Sequence, residues 1–368
     1  LVIMSGLENV VAAETVLSDI NGEKGYLIIR GLPIEKIAGE KSFEEAVYFL
    51  WTGHFPTSEE LEVFSGSLFD AMKLSPSYLN FLDGIPTDID TTAYLMTALS
   101  GMDRNDFPWA PNLKQAGRML GTTPAVLGFL QSKRENRVRV EPDKSLGFAG
   151  NYLYFVTGEK PTKEAAKALD TYFTLTMEHG LNASTFTARV ITSTQSDLVS
   201  AITGAIGALK GHLHGGAPKE VIARLEEIGT EENAESWLKQ KLENGERIMG
   251  FGHRVYRTLD PRASVLKQMA GPLAKDGGWF AMALKVEELA QQLLAEYKPN
   301  RTLKTNVEFY AAAVFKAIGL PESIYTATFA TSRITGWCAH AMEQAAENRI
   351  IRPSSTYIGE RPEELTQK

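Results

Sequence analysis

Hydrophobic and polar positions change rhythm early in this chain. TVLSDI and YLIIRG, two short runs of β-branched and aromatic residues, are joined by NGEKG, and together they predict one small hairpin. Beyond it the strand signal gives way to helical spacing. Ser42 with Glu45, and Thr57 with Glu60, stand three apart ahead of apolar residues, the spacing of a capping box, so each predicts a helix start. Further helices are expected over 90–101, 112–136, 145–156, 161–178, 196–210, 218–228, 231–244, 261–275, 279–297, 306–318 and 321–347. The pattern predicts an all-α chain with a small N-terminal β-hairpin and no strand–helix alternation.

The helical rhythm breaks at GHLHGGAP, where Gly211, Gly215, Gly216 and Pro218 intervene. Before it runs the small-residue stretch AITGAIGALK; after it come charged amphipathic segments such as KEVIARLEEI. That shift predicts a second, smaller domain. With GLPES at 319–323 as its far hinge, the chain divides into 1–215, 216–323 and 324–368. A length of 368 residues suits such a division.

Composition narrows the functional classes. With 43% hydrophobic and 23% charged residues, the chain is expected to fold as a globular protein. A net charge of -7 gives no overall attraction to nucleic acid or to an anionic membrane, so any polyanionic ligand requires a local basic patch. The single cysteine, Cys338, excludes an internal disulfide and a cysteine-based metal cluster, and a reducing cytoplasm is the expected setting. Glu8 interrupts the apolar start before a signal-peptide core develops, no run of 18 apolar residues occurs, and Met4 reads as the natural first residue.

Four of the six histidines lie between His179 and His253, each beside glycines or small residues, in MEHGLNAS, KGHLHGGAP and IMGFGHRVYR. Histidine titrates near neutrality, so this clustering points to proton chemistry or polar-ligand binding. His212 and His214 would share one side of an extended backbone, but two ligands do not make a zinc site. The flanking glycines would instead let a carbonyl approach His214, unless this is simply a linker whose histidines pair with the backbone. Between Glu246 and Arg262 four arginines face two acids. Asp260 before Pro261 predicts a helix N-cap, which puts Arg262 in a first turn where the dipole disfavours a cation; that misfit favours an anion-binding role. Glu308 stands three after Thr305, so it either completes a capping box or serves as a general base in an apolar surround. Arg333 and Arg352 read individually as surface arginines, His54 as a turn histidine and His340 as a helix-face histidine.

The order EHGLNAST, LHGGA, GFGHRVYRTLDPRA, TNVEFY and SRITGW, with likeness running from GLENVVAAETVLSDINGEKG to RIIRPSSTYIGE, resembles the citrate synthases, nearest in form to the shorter bacterial and archaeal type. The resemblance implies an almost all-helical homodimer whose small domain closes over a dicarboxylate to create the acyl-CoA site. It implies that His214 hydrogen-bonds the thioester carbonyl, that Glu308 removes the methyl proton, and that His253 polarises the oxaloacetate carbonyl. It further implies oxaloacetate carboxylates held by His179, Arg262 and Arg333, with Arg352 reaching across from the partner subunit. CoA would lie against Arg247, Gly250, Gly252, Arg254 and Arg257. The resemblance implies no cofactor beyond the acyl-CoA co-substrate and no metal.

Two departures from the family pattern stand out. Glu308 occupies a position where many members carry Asp, and Pro218 follows HGGA where Asn is usual. Either could alter the acyl preference, so a 2-methylcitrate synthase using propionyl-CoA stays open beside acetyl-CoA. A metal-dependent hydrolase built on His212, His214 and His253, and a helical scaffold without catalysis, are the remote alternatives; the missing HExxH pair counts against the first.

Overall fold

Residues 18–33 form a three-stranded antiparallel sheet in the order β1 (Ser18–Asn21), β2 (Tyr26–Ile29), β3 (Leu32–Pro33), so the expected hairpin carries one further short strand. Asn21 pairs with Tyr26, and the turn between them closes on Gly25 at φ +68°. A Cβ there would come within 2.6 Å of Thr258 Oγ1, and the Arg257 N–H donates to the Gly22 carbonyl at 2.8 Å. Glycine at this turn therefore serves both the left-handed backbone and the close approach of a distant loop. The computed structural model describes residues 5–7, 10–214, 217–248, 250–252, 256–274, 278–298 and 304–361, with 217–219 as backbone.

The remaining regular structure among the described residues is helical. In order come α1 (Phe43–Thr52), α2 (Ser58–Ala71), α3 (Pro76–Asp83), α4 (Thr91–Ser100), α5 (Leu113–Arg134), α6 (Gly147–Thr157), α7 (Lys163–Thr176) and α8 (Ala183–Ser193). They are followed by α9 (Leu198–Leu209), α10 (Ala217–Ile228), α11 (Glu231–Glu243), α12 (Pro261–Ala270), α13 (Gly278–Tyr297), α14 (Val307–Ala317) and α15 (Tyr325–Ala346). Both expected capping boxes form, Ser42 with Glu45 and Thr57 with Glu60. Two helices escaped the periodicity reading. Helix α3 is short, and α8 (ASTFTARVITS) is rich in β-branched residues, whose weak helix propensity is overridden by packing against α9 and α15. No helix among the described residues is long and apolar enough to cross a membrane.

Helix α15 runs through the core, in contact with α5, α7, α8 and α9, and nearly all of its length is buried. Several of its buried hydroxyls are satisfied locally: Thr328 Oγ1 lies 2.7 Å from the Tyr152 hydroxyl, and Ser332 Oγ donates to the Phe173 carbonyl at 2.7 Å. Helices α10, α12 and α13 pack around α14, and α11 packs on α13. Helix α14 is correspondingly apolar on almost every side, and α7 touches both α12 and α14.

Two half-buried acids join the first helix to its neighbours. Asp170 Oδ2 accepts the Phe43 N–H at the start of α1 (3.0 Å), and Glu44 Oε1 accepts the Phe148 N–H at the start of α6 (2.7 Å). Burial, reinforced by the nearby Glu44 charge, pushes the Asp170 carboxyl up to about 7. A carboxyl raised in the folded state favours folding most below its ordinary value, and that contribution is lost as pH climbs through the raised one. Asp170→Asn keeps an oxygen for the Phe43 N–H and removes the charge. Its melting temperature is expected to exceed that of the unsubstituted protein by roughly 2–4 °C at about pH 8, with little difference at about pH 4. Equal offsets at both pH values in paired thermal scans would refute the titration.

Candidate active site

The site is assembled from chain turns that follow or precede helices. After α7 the chain passes so close to α15 that a Cβ on Gly336 would collide with the Met177 carbonyl and the Glu178 carboxylate. Glu178 is fully buried. Its Oε1 accepts from the Gly180 N–H (2.7 Å), Ser18 Oγ (2.9 Å) and His340 Nε2 (3.0 Å). Arg189 Nη1 donates to His340 Nδ1 at 3.0 Å; a guanidinium cannot accept, so the imidazole proton sits on Nε2, facing Glu178. Burial raises the Glu178 carboxyl, but His340 and then Arg333 more than offset it, and the group stays ionised. The expected helix-face His340 is thus a buried strut of the turn that carries His179. His179 itself meets the Tyr256 hydroxyl at 3.1 Å through Nε2.

His214 follows α9 in a tight turn, its N–H donating to the Gly211 carbonyl at 2.9 Å. The backbone here is not extended, so the geometry in which His212 and His214 would share a side does not arise. His214 Nε2 lies 2.9 Å from Ser184 Oγ, which also accepts from Trp337 Nε1 (3.1 Å) and reaches Asn182 Oδ1 (2.8 Å). Ser184 gives its one proton to Asn182 Oδ1, so His214 Nε2 donates to Ser184 Oγ in this arrangement; a hydroxyl turned to Nε2 instead would place the imidazole proton on Nδ1. Burial and then the Arg333 charge hold the His214 pKa below its ordinary value, so the ring is neutral at physiological pH.

Asp260 caps α12 as its position before Pro261 predicted, and it does more. Oδ1 accepts from the Arg262 N–H (3.1 Å) and Nε (3.0 Å); Oδ2 accepts from Arg262 Nη2 (3.0 Å) and from the Val307 N–H (3.0 Å) that opens α14. The cation that looked misplaced at a helix start is therefore matched by a forked pair with its own N-cap, and the dipole argument does not by itself call for an anion. Burial opposes the Arg262 charge, yet Asp260 raises its pKa overall.

The capping-box reading of Thr305 and Glu308 is overturned. Asn306 is the N-cap of α14: its Oδ1 accepts the Glu308 N–H (3.1 Å) and the Phe309 N–H (3.3 Å). Its Nδ2 donates to the Gly252 carbonyl at 2.8 Å. Backbone bonds from Asn306 N to Gly250 O (2.9 Å) and from Gly252 N to Lys304 O (2.8 Å) lay 250–252 alongside 304–306. Gly250, at φ +89°, has no room for a Cβ beside the Phe309 ring. His253 and Arg254 lie outside the described residues, as does Gly216; Pro218 is described by its backbone. Burial raises the Glu308 carboxyl, against the pull of Arg262 and Arg333.

Arg333 completes the group from α15. It is 2% exposed, donates through Nε to the Thr176 carbonyl (2.8 Å), and lies 4.8 Å from the centre of the Phe329 ring, which in turn faces His214. Burial lowers its pKa to about 10, partly opposed by Glu178 and reinforced by Arg262. Arg333 is thus electrostatically coupled to His214, Arg262 and Glu308, and His179 meets Tyr256, whose ring lies 5.7 Å from the Arg262 guanidinium. Arg352 is exposed on the extended segment beyond α15. Arg247 and Arg257 are exposed on the loops flanking Gly250 and Gly252. Sequence reasoning assigned no role to Glu178, Ser184, Tyr256 and Trp337, although all four lie inside the quoted motifs: Glu178 and Ser184 in EHGLNAST, Tyr256 in GFGHRVYRTLDPRA and Trp337 in SRITGW. No cluster of three or more His, Cys, Asp or Glu among the described residues could hold a metal ion. A separate cleft of about 1070 Å³ between α2, α3 and α5, lined by Val63, Tyr78 and Phe81, shares no residue with this group.

Buried arginines, a histidine whose pKa is lowered and a carboxyl whose pKa is raised make a cluster of perturbed acid–base groups in a helical protein, the kind of cluster at which enzymes do proton chemistry. Residues 6–354 match the family model described as citrate synthase, C-terminal domain. The chain is 40% identical to a citrate synthase of Haloferax volcanii, with 98% of this chain and 97% of the relative aligned. It is 38% identical to a 2-methylcitrate synthase of Mycobacterium tuberculosis, over 97% and 91% of the two. A ternary complex of the Thermoplasma acidophilum citrate synthase with carboxymethyl coenzyme A and oxaloacetate superposes with a TM-score of 0.86 at 34% identity, covering 98% of this chain and 97% of that one. The chain belongs to the citrate synthase family.

Removing the Asp260 carboxylate leaves Arg262 buried without its forked partner. Asp260→Ala is expected to cost about 3–5 kcal/mol in urea unfolding. Asp106→Ala, which breaks the exposed Arg118–Asp106 pair, is expected to cost under about 1 kcal/mol. Similar losses for the two would sink the claim that the buried pair holds the site.

Proposed function

We propose that the protein condenses acetyl-CoA with oxaloacetate and hydrolyses the resulting citryl-CoA to citrate and CoA. The observation that supports this reading is that the buried Arg333 acts on both His214, whose pKa is lowered, and Glu308, whose carboxyl is raised by burial. A carboxylate is too weak a base to deprotonate a thioester methyl unaided, so the developing enolate needs a donor as it forms. In this reading Glu308 takes the methyl proton while a neutral His214, with the Ser184 hydroxyl turned from Asn182 to Nε2, hydrogen-bonds the thioester oxygen through Nδ1–H. The methyl carbon then attacks the keto carbon of oxaloacetate, and His253 delivers a proton to the keto oxygen. Water finally cleaves the thioester. No cofactor beyond the acyl-CoA enters the scheme.

Oxaloacetate is a dianion, and the cations already present are engaged. Arg262 is matched by Asp260, and Arg333 faces Glu178. A further positive charge is therefore required, and in this reading Arg352 of the partner subunit supplies it in a homodimer, with His179 as a hydrogen-bonding partner. The helices α10–α14 form the greater part of a domain, 216–323, that closes over the bound dianion, and Arg247, Gly250, Gly252, Arg254 and Arg257 receive the CoA. A cytoplasmic setting fits the lone buried Cys338.

The likeness to a 2-methylcitrate synthase, and a carboxylate one methylene longer than the family's usual Asp, favour a second reading in which propionyl-CoA is used. Initial rates of thiol release with acetyl-CoA and propionyl-CoA at fixed oxaloacetate decide between the two, and release from neither rejects both. Glu308→Gln is expected to lower kcat by about 10²–10⁴-fold with oxaloacetate binding retained; a variant close to full activity would show that Glu308 is not the base. Arg352→Ala is expected to raise the KM for oxaloacetate severalfold. An unchanged KM would remove Arg352 from the site.

A further inference from the structure

We propose that Glu287 is a positioning residue for proton transfer, holding the helix that bears Glu308 in register with the helix that bears Arg262 while forming no hydrogen bond to either side chain. The inference rests on the reading of Glu308 as the base. Glu287 lies midway along α13 and is 7% exposed. Its carboxylate gathers four donors from three directions. Oε1 accepts from Thr305 Oγ1 (2.7 Å) and Gln291 Nε2 (3.2 Å); Oε2 accepts from Lys267 Nζ (2.6 Å) and from the Tyr310 hydroxyl.

The placement of those donors is what matters. Thr305 precedes the Asn306 cap, and Tyr310 follows Glu308 by two residues, so Glu287 grips α14 on both sides of the proposed base. Two residues along a helix correspond to about 200° of rotation, which puts Tyr310 on the side of α14 away from Glu308. A hydroxyl fixed on that far side opposes any roll of α14 that would swing Glu308. Thr305 also forms the bridge with Phe251, so the same grip reaches the strand-like stretch leading toward residue 253. Lys267, on α12 beyond Arg262, carries the register to the third helix.

Stability alone gives little reason for such a group. Burial raises the Glu287 carboxyl, and the Lys267, Tyr310 and Thr305 hydrogen bonds are needed to bring it below its ordinary range. Buried ionic networks of this kind seldom out-stabilise apolar packing; what they fix is a unique geometry.

Glu287→Gln and Tyr310→Phe are to be compared with the unsubstituted protein for kcat, both KM values, melting temperature, and the isotope effect with methyl-deuterated acetyl-CoA. Positioning predicts a fall in kcat of about tenfold for Glu287→Gln with the oxaloacetate KM within about twofold, and a larger isotope effect as deprotonation becomes more rate-limiting. Tyr310→Phe, which deletes a single hydroxyl and keeps the ring, is expected to show the same signature more weakly, and the double variant no more than the stronger single one. A lowered melting temperature with kcat and isotope effect unchanged in Tyr310→Phe and in folded Glu287→Gln would overturn the proposal. Activity in Glu308→Gln reports on the base itself, so an inactive Glu308→Gln beside a fully active Glu287→Gln would remove the positioning role alone.

Discussion

Two guanidiniums buried within electrostatic reach of each other are the constraint around which this structure is arranged. Arg262 and Arg333 are 3% and 2% exposed, come from α12 and α15, and each raises the cost of keeping the other charged. Desolvating such an ion costs several kcal/mol, and a nearby acid opposes that cost at each, outweighing it for Arg262 and only in part for Arg333. Asp260 forks onto Arg262; Glu178, itself held by His340, Ser18 and the Gly180 N–H, faces Arg333. Once those acids are fixed, so are the turns that carry them, and these are the turns that present His179 and open α14.

The same economy explains the glycines and short loops around the site. Gly336 lets the Met177–Glu178 backbone lie against α15, Gly25 lets the β1–β2 turn press on Thr258, and Gly250 lets its loop meet Phe309. Each allows two backbones to approach where a Cβ would hold them apart. The result is a site whose parts come from the ends of α7, α9, α12 and α14 and from the middle of α15, and whose position is set by backbone contact before any side chain acts.

Glu308 and His214 show how one environment yields an acid–base pair. Burial disfavours charge on both, which lifts the carboxyl and lowers the imidazole, and the nearby arginines then act in opposite senses: they favour the Glu308 carboxylate and disfavour a His214 imidazolium. A carboxyl that the arginines help to ionise and a histidine that they help to keep neutral follow from the Arg333 charge acting on both groups. Ser184, with a single proton to assign, determines which imidazole nitrogen can donate.

Hydrophobic periodicity and helix-start residues were enough to read an all-α chain with a small N-terminal sheet, because amphipathic spacing and capping are local properties written within a few residues. Both early capping boxes and the Asp260 cap were legible for that reason, and the ordered His, Arg and Glu motifs were legible as a family pattern. What was missed depended on partners far away in the chain. Helix α8 exists because α9 and α15 pack on it; Thr305 turns from the expected cap to Glu287; the apparent misfit of Arg262 is answered by a forked bond that a one-dimensional charge count cannot register. The amino-acid order thus determined which segments become helices and which side chains could do chemistry. Only the folded arrangement decided which charges meet, because burial and pairing are properties of distance in space and not of separation along the chain.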